Sequence, residues 1–351
     1  MHSSIKKYFP LGGRTIKTGI SVFITALICQ IFNFPAIFAV MTAIVTIEHT
    51  AADSIKKAFV RFPASAIGAF LSVSFYTAFG KTAITYALAA MLTIAICHKL
   101  KLDEGIVVAT LTAIAMIPDF HGNSFGSFFV RLATTSIGII VSTGVNFFLI
   151  PPDYTNVIHK NINNLFQKSA NLCLNISYLL LDHNTNQKQK NKLLYQQINR
   201  DINHTYRLIA FQREEWRYHK YSKDTFRQVH MWQKQLNFLQ QIIDHIGNLR
   251  FVHLKENSFR SEEKKLLHNI FVSVAEILKN PSHTISKEHY DWIENLNNEF
   301  WHWKEEHIQT IESPEHLPPQ TIVLYELLFL HQVLENLQQM THNQSKIEDD
   351  K

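Results

Sequence analysis

Residues 61–79 read RFPASAIGAFLSVSFYTAF and residues 131–150 read RLATTSIGIIVSTGVNFFLI. Laid over one another at an offset of 70, Arg61, Ser65, Ile67, Gly68 and Ser72 meet Arg131, Thr135, Ile137, Gly138 and Ser142. Each stretch approaches the ~20 apolar residues an α-helix needs to cross a ~30 Å hydrocarbon core. The polar and small residues within each step by four, three and four, which puts them on one helix face. An acidic residue precedes each arginine, Glu48 in one copy and Asp119 in the other. The pair therefore predicts two related membrane helices, each with an arginine at one end and a small polar stripe below it.

Working outward from these two, six apolar segments appear: Thr15–Phe34, Ala36–Ile47, Phe62–Phe79, Ala83–Cys97, Gly105–Ile117 and Phe128–Ile150. The first, third and sixth have the length of a span. The segments 36–47, 83–97 and 105–117 are short and read as spans extended by polar flanks, with 36–47 and 105–117 alternatively tilted, discontinuous or partly re-entrant. No small-residue cleavage site follows the first run, which reads as a retained helix rather than a leader. Lys6, Lys7, Arg14, Lys17, Lys56, Lys57, Arg61, Lys99 and Lys101 fall on one set of flanks, and only Lys81 and Arg131 on the other. The positive-inside rule then places both termini in the cytoplasm. Three spans per copy give the two copies opposite orientations, the 3+3 inverted repeat used by many secondary transporters.

Charge divides the chain in the same place. Residues 1–151 carry 11 Lys/Arg and 5 Asp/Glu, whereas residues 152–351 carry 23 and 24. The net charge of +5 therefore sits between apolar segments, as a topology signal, and the polar part offers no basic field for nucleic acid. Three cysteines, Cys29, Cys97 and Cys173, are too few and too scattered for a disulfide framework or a zinc site. The 19 histidines never fall at i, i+3 or i+4, so no metal and no cofactor is expected. Nucleotide-binding, zinc-protease and serine-hydrolase motifs are missing, and no catalytic constellation points to an enzyme.

The residues that carry chemistry lie on the membrane helices. Arg14, Lys17, Thr18, Ser21 and Thr25 form a stripe on the first. Arg61, Ser65 and Ser72 form one on the third, and Arg131, Thr135, Ser142 and Asn146 one on the sixth. An arginine fork offers bidentate hydrogen bonds to a carboxylate, and the stripes offer a hydrated path. The same stripes also suit close helix packing. Glu48, His49, Asp53 and Asp119 are the candidates for proton coupling, as carboxylates and an imidazole at the membrane boundary.

From Tyr154 onward helical periodicity takes over. Ile158, Ile162, Leu165, Leu172, Ile176 and Leu179 mark one apolar stripe, and Val229, Trp232, Leu236, Leu239, Ile243 and Ile246 another. Trp292, Trp301 and Trp303 read as core aromatics. The expected organisation is all-α: a transmembrane domain at 1–153, a cytoplasmic antiparallel helical bundle at 154–345, and a disordered tail at 346–351.

Three stretches carry a family resemblance: Arg14-Thr15-Ile16-Lys17-Thr18, Arg61 with Ser65-Ala66-Ile67-Gly68, and Lys101-Leu102-Asp103-Glu104-Gly105-Ile106. With a six-span domain followed by a helical one, the chain resembles half-sized members of the bacterial aromatic acid exporter family, related to fusaric acid resistance proteins. The resemblance implies a multi-pass inner or plasma membrane exporter of aromatic carboxylic acids or similar organic anions. It also implies an ion gradient, most simply protons, as the driving force, and a homodimer or higher oligomer. The competing reading is a membrane-anchored scaffold or sensor, in which the helical domain binds a partner or ligand.

Overall fold

The computed structural model describes residues 13–119, 124–149, 153–182, 188–216, 223–255, 258–308 and 318–349. Among these the regular elements are all helical. The chain divides into two compact units, Met1–Asp153 with Phe211–Tyr221, and Tyr154–Ala210 with Ser222–Lys351. The inclusion of 211–221 in the first unit is not foreseen by hydropathy.

The first unit contains α1 (Gly13–Ile31), α2 (Ala36–Thr46), α3 (Ala51–Phe79), α4 (Ala83–Lys99), α5 (Ile106–Met116) and α6 (Ser124–Phe148). Of these, α1, α3 and α6 are long and apolar enough to cross a membrane. Their surface inverts the soluble pattern: Phe23, Phe59, Phe70, Phe129, Ile140 and Phe148 are exposed, while Lys17, Ser21, Thr25, Arg61, Ser65, Arg131 and Asn146 are buried. An apolar exterior around a polar interior is what lipid as solvent selects.

The sequence repeat reappears as repeated geometry. The backbones of α3 and α5 touch where Gly68 meets Ala109, and those of α6 and α2 where Gly138 meets Ala39. A Cβ at either glycine would collide with the facing carbonyl oxygen. Both partners, like both glycines, are 70 positions apart. The turns after α1 and α4 also match. Asn33 (φ 53°) and Lys101 (φ 58°) take the left-handed conformation. The following amides, Phe34 N and Leu102 N, donate to Cys29 O and Cys97 O, each at 2.8 Å. These are Schellman-type closures, which recover helix-end carbonyls. The buried stripes of the two helices also correspond, Lys17, Ser21, Thr25 and Cys29 on α1 against Thr85, Ala89, Thr93 and Cys97 on α4.

Contacts also fix relative direction. Gly68 on Ala109 and Ala69 beside Met116 set α3 parallel to α5. Gly138 on Ala39 and Ser142 bonded to Thr46 set α6 parallel to α2. Ser65–Thr135 and Ser54–Asn146 make α3 and α6 antiparallel, crossing at Ser65 and Thr135.

The 11 residues of α2 and of α5 span only about 16 Å each. After α2 the chain is non-helical through Glu48 and His49 until Thr50 caps α3 by accepting from Asp53 N at 3.1 Å. The carbonyls this break frees are satisfied by side chains: Ile47 O by Arg14 Nη2 (3.1 Å), and Glu48 O and Thr50 O by Asn146 Nδ2 (3.3 and 3.0 Å). Irregular backbone inside a membrane protein survives only with such partners.

The second unit holds α7 (Thr155–Leu181), most of α8 (Lys188–Glu215), α9 (Lys223–Leu249), α10 (Ser261–Lys279), α11 (Lys287–Ile308) and α12 (Pro319–Asp349). Helix α7 packs on α9 and α10, α9 on α12, and α11 on both α10 and α12. Ile158, Ile162, Leu165, Leu172, Ile176, Val229, Trp232, Leu236, Leu239, Ile243 and Ile246 are buried as their spacing requires. One expectation is corrected: Trp301 is about half exposed rather than core. Helix α12 itself runs to Asp349, each added residue extending an established helix more easily than starting a new one. Residues 350–351 lie outside the described residues.

Inside this unit His289 Nδ1 lies 2.8 Å from Ser273 Oγ, and His331 Nδ1 lies 3.3 Å from His289 Nε2. Burial, with His331 alongside, pushes His289 down to about 4. Burial also lowers His331, opposed by Glu335.

Two predictions follow from this packing. Gly68→Ala and Gly138→Ala should each cost about 1–3 kcal/mol by overpacking and lower the melting temperature of the detergent-solubilised protein. Gly19→Ala, with open space at its Cβ, should leave it unchanged or slightly higher. The second concerns acid. Below the ordinary histidine value of 6.5 the unfolded chain takes up a proton that folded His289 refuses until about 4. Stability of the helical unit should therefore fall as pH drops through that window, and His289→Gln should flatten the fall in far-UV circular dichroism melts.

Candidate functional site

Polar side chains of the first unit gather at three levels along the α3–α6 pair. At the crossing, Ser65 Oγ is 3.1 Å from Thr112 Oγ1 and donates to Thr135 Oγ1 at 3.5 Å. Arg131 Nη2 donates to Thr112 Oγ1 at 3.0 Å, and its guanidinium lies 4.1 Å from the centroid of Phe38. All four polar residues are buried. An arginine held over an aromatic face among hydroxyls is the chemistry that a planar carboxylate meets well: the fork takes the carboxylate and the ring takes the ring.

Two helical turns toward the 47–50 break lies the second level, where Thr46 and Ser142 share a buried hydrogen bond. Lys17 Nζ donates to Asn146 Oδ1 at 2.8 Å, and Asn146 Nδ2 also donates to Ser54 Oγ at 2.7 Å. Asn146 thus ties α1, α3 and the break together, which no stripe in the sequence shows.

The third level is ionic. Arg61 is buried and pairs with Glu48, while its Nε donates to Glu104 O at 3.3 Å. Lys57 Nζ reaches Asp53 (2.9 Å), Glu48 (3.3 Å) and Glu104 (3.3 Å). Five charges from α3, the break before it and the turn before α5 thereby close one end of the helix pair. Arg61 lies four residues before Ser65, and Arg131 four before Thr135. Because α3 and α6 are antiparallel, the two arginines stand on opposite sides of the crossing, each roughly 6 Å along its axis.

The remaining candidates are distributed around this framework. Arg14 is exposed and bonds the break, and Thr18 bonds its own helix at Arg14 O (2.9 Å). The hydroxyls of Ser21, Thr25 and Ser72 are fully buried with no hydrogen-bond partner among the described residues, as is that of Thr93. His49 stacks on Phe211 of the same unit, centroids 5.1 Å apart. The side chain of Asp119 lies outside the described residues. Sequence reasoning missed Thr46, Ser54, Lys57, Glu104 and Thr112. Thr112 was findable, since Thr42 and Thr112 share the register of Ala39 and Ala109.

Removing Arg61 leaves the nearly buried Glu48 with Lys57 as its remaining cation, a loss of about 1–3 kcal/mol. Arg61→Ala should therefore lower the melting temperature sharply, and Arg61→Gln with Glu48→Gln should recover most of it, read by thermal unfolding in detergent.

Comparison with known proteins adds identity to this geometry. The family model described as aromatic acid exporter family member 1 matches residues 9–149. A UPF0421 protein of Bacillus cereus (strain ATCC 10987 / NRS 248) is 42% identical over 340 residues, covering 96% of each chain. A UPF0421 protein of Halalkalibacterium halodurans is 35% identical over 344 residues, covering 98% of this chain and 93% of its own. One from Staphylococcus saprophyticus is 34% identical over 335 residues, covering 93% and 96%. With the polar-lined helices of its first unit matched by the exporter model and more than nine-tenths of its length by these bacterial relatives, the chain belongs to the aromatic acid exporter family.

Proposed function

We propose that the chain is an efflux transporter for aromatic carboxylic acids or similar organic anions, with the first unit as its path. Six segments cross or enter the membrane as a 3+3 inverted repeat, both termini are cytoplasmic, and the helical unit lies in the cytoplasm. The reading is supported by membership of a transporter family. One observation carries it: two arginines in equivalent repeat positions stand on opposite sides of a buried hydroxyl crossing. One of them is closed into an ionic cluster and the other is held over Phe38.

In this mechanism the Arg61–Glu48–Lys57 cluster is the cytoplasmic gate. An incoming carboxylate competes with Glu48 for the Arg61 fork, which loosens the cluster. The ring then passes between α3 and α6, where the Ser65, Thr112 and Thr135 hydroxyls replace lost hydration. At the outer level Arg131 takes the carboxylate, and the substrate ring displaces the guanidinium from Phe38. Exchange of one arginine for the other about a pseudo-twofold axis gives alternating access by rocking of one repeat against the other. Glu48, a carboxylate at the membrane boundary within this cluster, is the group through which the cycle would be coupled to protons. Homo-oligomerisation would supply the second membrane domain found in full-sized relatives.

The test is counterflow of radiolabelled benzoate in proteoliposomes, with and without an imposed pH gradient. The expected result is gradient-dependent accumulation that falls at least tenfold in Arg131→Ala while Gly19→Ala retains it. Flux unaltered in Arg131→Ala, or none for any of a broad panel of aromatic acids in vesicles holding folded protein, would overturn the proposal in favour of the scaffold or sensor reading.

A further inference from the structure

The second unit carries a cavity of about 1230 Å³ that the transport reading does not use. It lies between the start of α7, the start of α9, the end of α10 with the 281–284 loop, and the late turns of α12. Single small-molecule sites usually occupy ~300–1,000 Å³, so it has room for a fused ring system with solvent. The family model ends before this unit.

Its walls combine two chemistries. Trp232 and Phe166 are both less than a tenth exposed and both line it, each with an imidazole against its ring: His159 at 5.7 Å from Trp232 and His283 at 4.4 Å from Phe166. Around them stand carboxamides, Gln228, Gln235 and Gln338 among them, and one formal charge, Lys279. Among the described residues that line the cavity there is no Asp or Glu. In a chain with 29 acidic residues, 24 of them after residue 151, a large cavity walled by rings, amides and a lysine but no carboxylate favours an anion.

The site is also built in advance. His283 is 3% exposed and sits at φ 51°, a conformation a non-glycine residue holds only when its surroundings impose it. Its Nδ1 is 2.9 Å from Ile277 O, so Nδ1–H donates there. Burial keeps the ring neutral, which leaves Nε2 as an acceptor. The loop is pinned beside it by Thr341 Oγ1 donating to Ser282 O (3.1 Å) and by Asn280 Oδ1 accepting from Ser282 N (3.1 Å). Gln167 Nε2 donates to Lys279 O at 3.3 Å, fixing the backbone that carries the one cation.

We propose that this cavity is a second ligand site, in the helical unit, for a fused-ring aromatic monocarboxylate. The rings stack against Trp232 and Phe166, Lys279 faces the carboxylate, and the amides and His283 take the remaining polar edge. The inference does not depend on the membrane unit transporting anything.

The test uses the full-length protein in detergent and isothermal titration with 2-naphthoate, corrected for empty micelles. Uncharged 2-naphthamide and aliphatic decanoate serve as comparison ligands. The expected result is one saturable 2-naphthoate site per chain, at least tenfold tighter than for either comparison ligand. Lys279→Gln, at an exposed position, should weaken it at least fivefold without changing the melting temperature, and Trp232→Leu should weaken it at least tenfold. Arg131→Ala, which lowers flux at least tenfold in the transport reading, should leave this binding unaltered. Absence of saturable binding, equal affinity for 2-naphthamide, or affinity unchanged in Lys279→Gln would overturn the proposal.

Discussion

Everything in the membrane unit depends on two places where helix backbones touch. At Gly68 and Gly138 the lack of a side chain brings α3 onto α5 and α6 onto α2, closely enough that a single carbon would strike a carbonyl. Lipid offers helices no hydrophobic force for associating with one another, so close van der Waals approach and interhelical hydrogen bonds must supply the adhesion. Those contacts draw two helices of 11 residues, too short to cross alone, beside two long ones. The short helices then bring Thr46 and Thr112 into reach of Ser142, Ser65 and Arg131. Without the glycine contacts the hydroxyl crossing would have no second wall.

The break between α2 and α3 follows from the same arrangement. A helix that stops inside the unit frees carbonyls, and a freed carbonyl away from water is costly. Asn146 and Arg14 meet that cost, and in doing so they fix α6 and α1 to the break. The ionic cluster of Glu48, Asp53, Lys57, Arg61 and Glu104 sits beside it. Glu48, Lys57 and Asn146 are well placed to exchange partners, because each already has more than one within hydrogen-bonding reach. The proposed gate needs that property: closure by several moderate interactions rather than one irreversible one.

Much of this was legible in the chain. Length and hydropathy marked α1, α3 and α6, and the offset of 70 anticipated that Gly68 and Gly138 would do equivalent work. The stripe of Lys17, Ser21 and Thr25 pointed inward as its spacing required. What the sequence hid was tertiary. Arg61 reads as a cation at a helix end, yet it is buried against Glu48, 13 positions earlier and beyond a helix break. Thr112 reads as one hydroxyl in an apolar run, and only the approach of α5 to α3 makes it a partner of Arg131. His289 and His331 are 42 positions apart, beyond any local spacing rule. The cavity in the helical unit is the extreme case, since Trp232 follows the same three-and-four period as the core residues around it, and nothing in that period distinguishes a wall from a filler.

The central claim is that α3 and α6 cross the membrane in opposite directions, so that Arg61 and Arg131 serve opposite faces. The most direct measurement is labelling of single cysteines at Lys56, Lys81, Gly126 and Asp153, in a background lacking Cys29, Cys97 and Cys173. A membrane-impermeant maleimide would be applied to intact cells and to inverted vesicles. The account predicts that Lys56→Cys and Asp153→Cys react only in inverted vesicles, and Lys81→Cys and Gly126→Cys only in intact cells. Labelling of Lys56→Cys and Lys81→Cys from the same face would contradict it, since α3 would then not cross and the two arginines could not alternate.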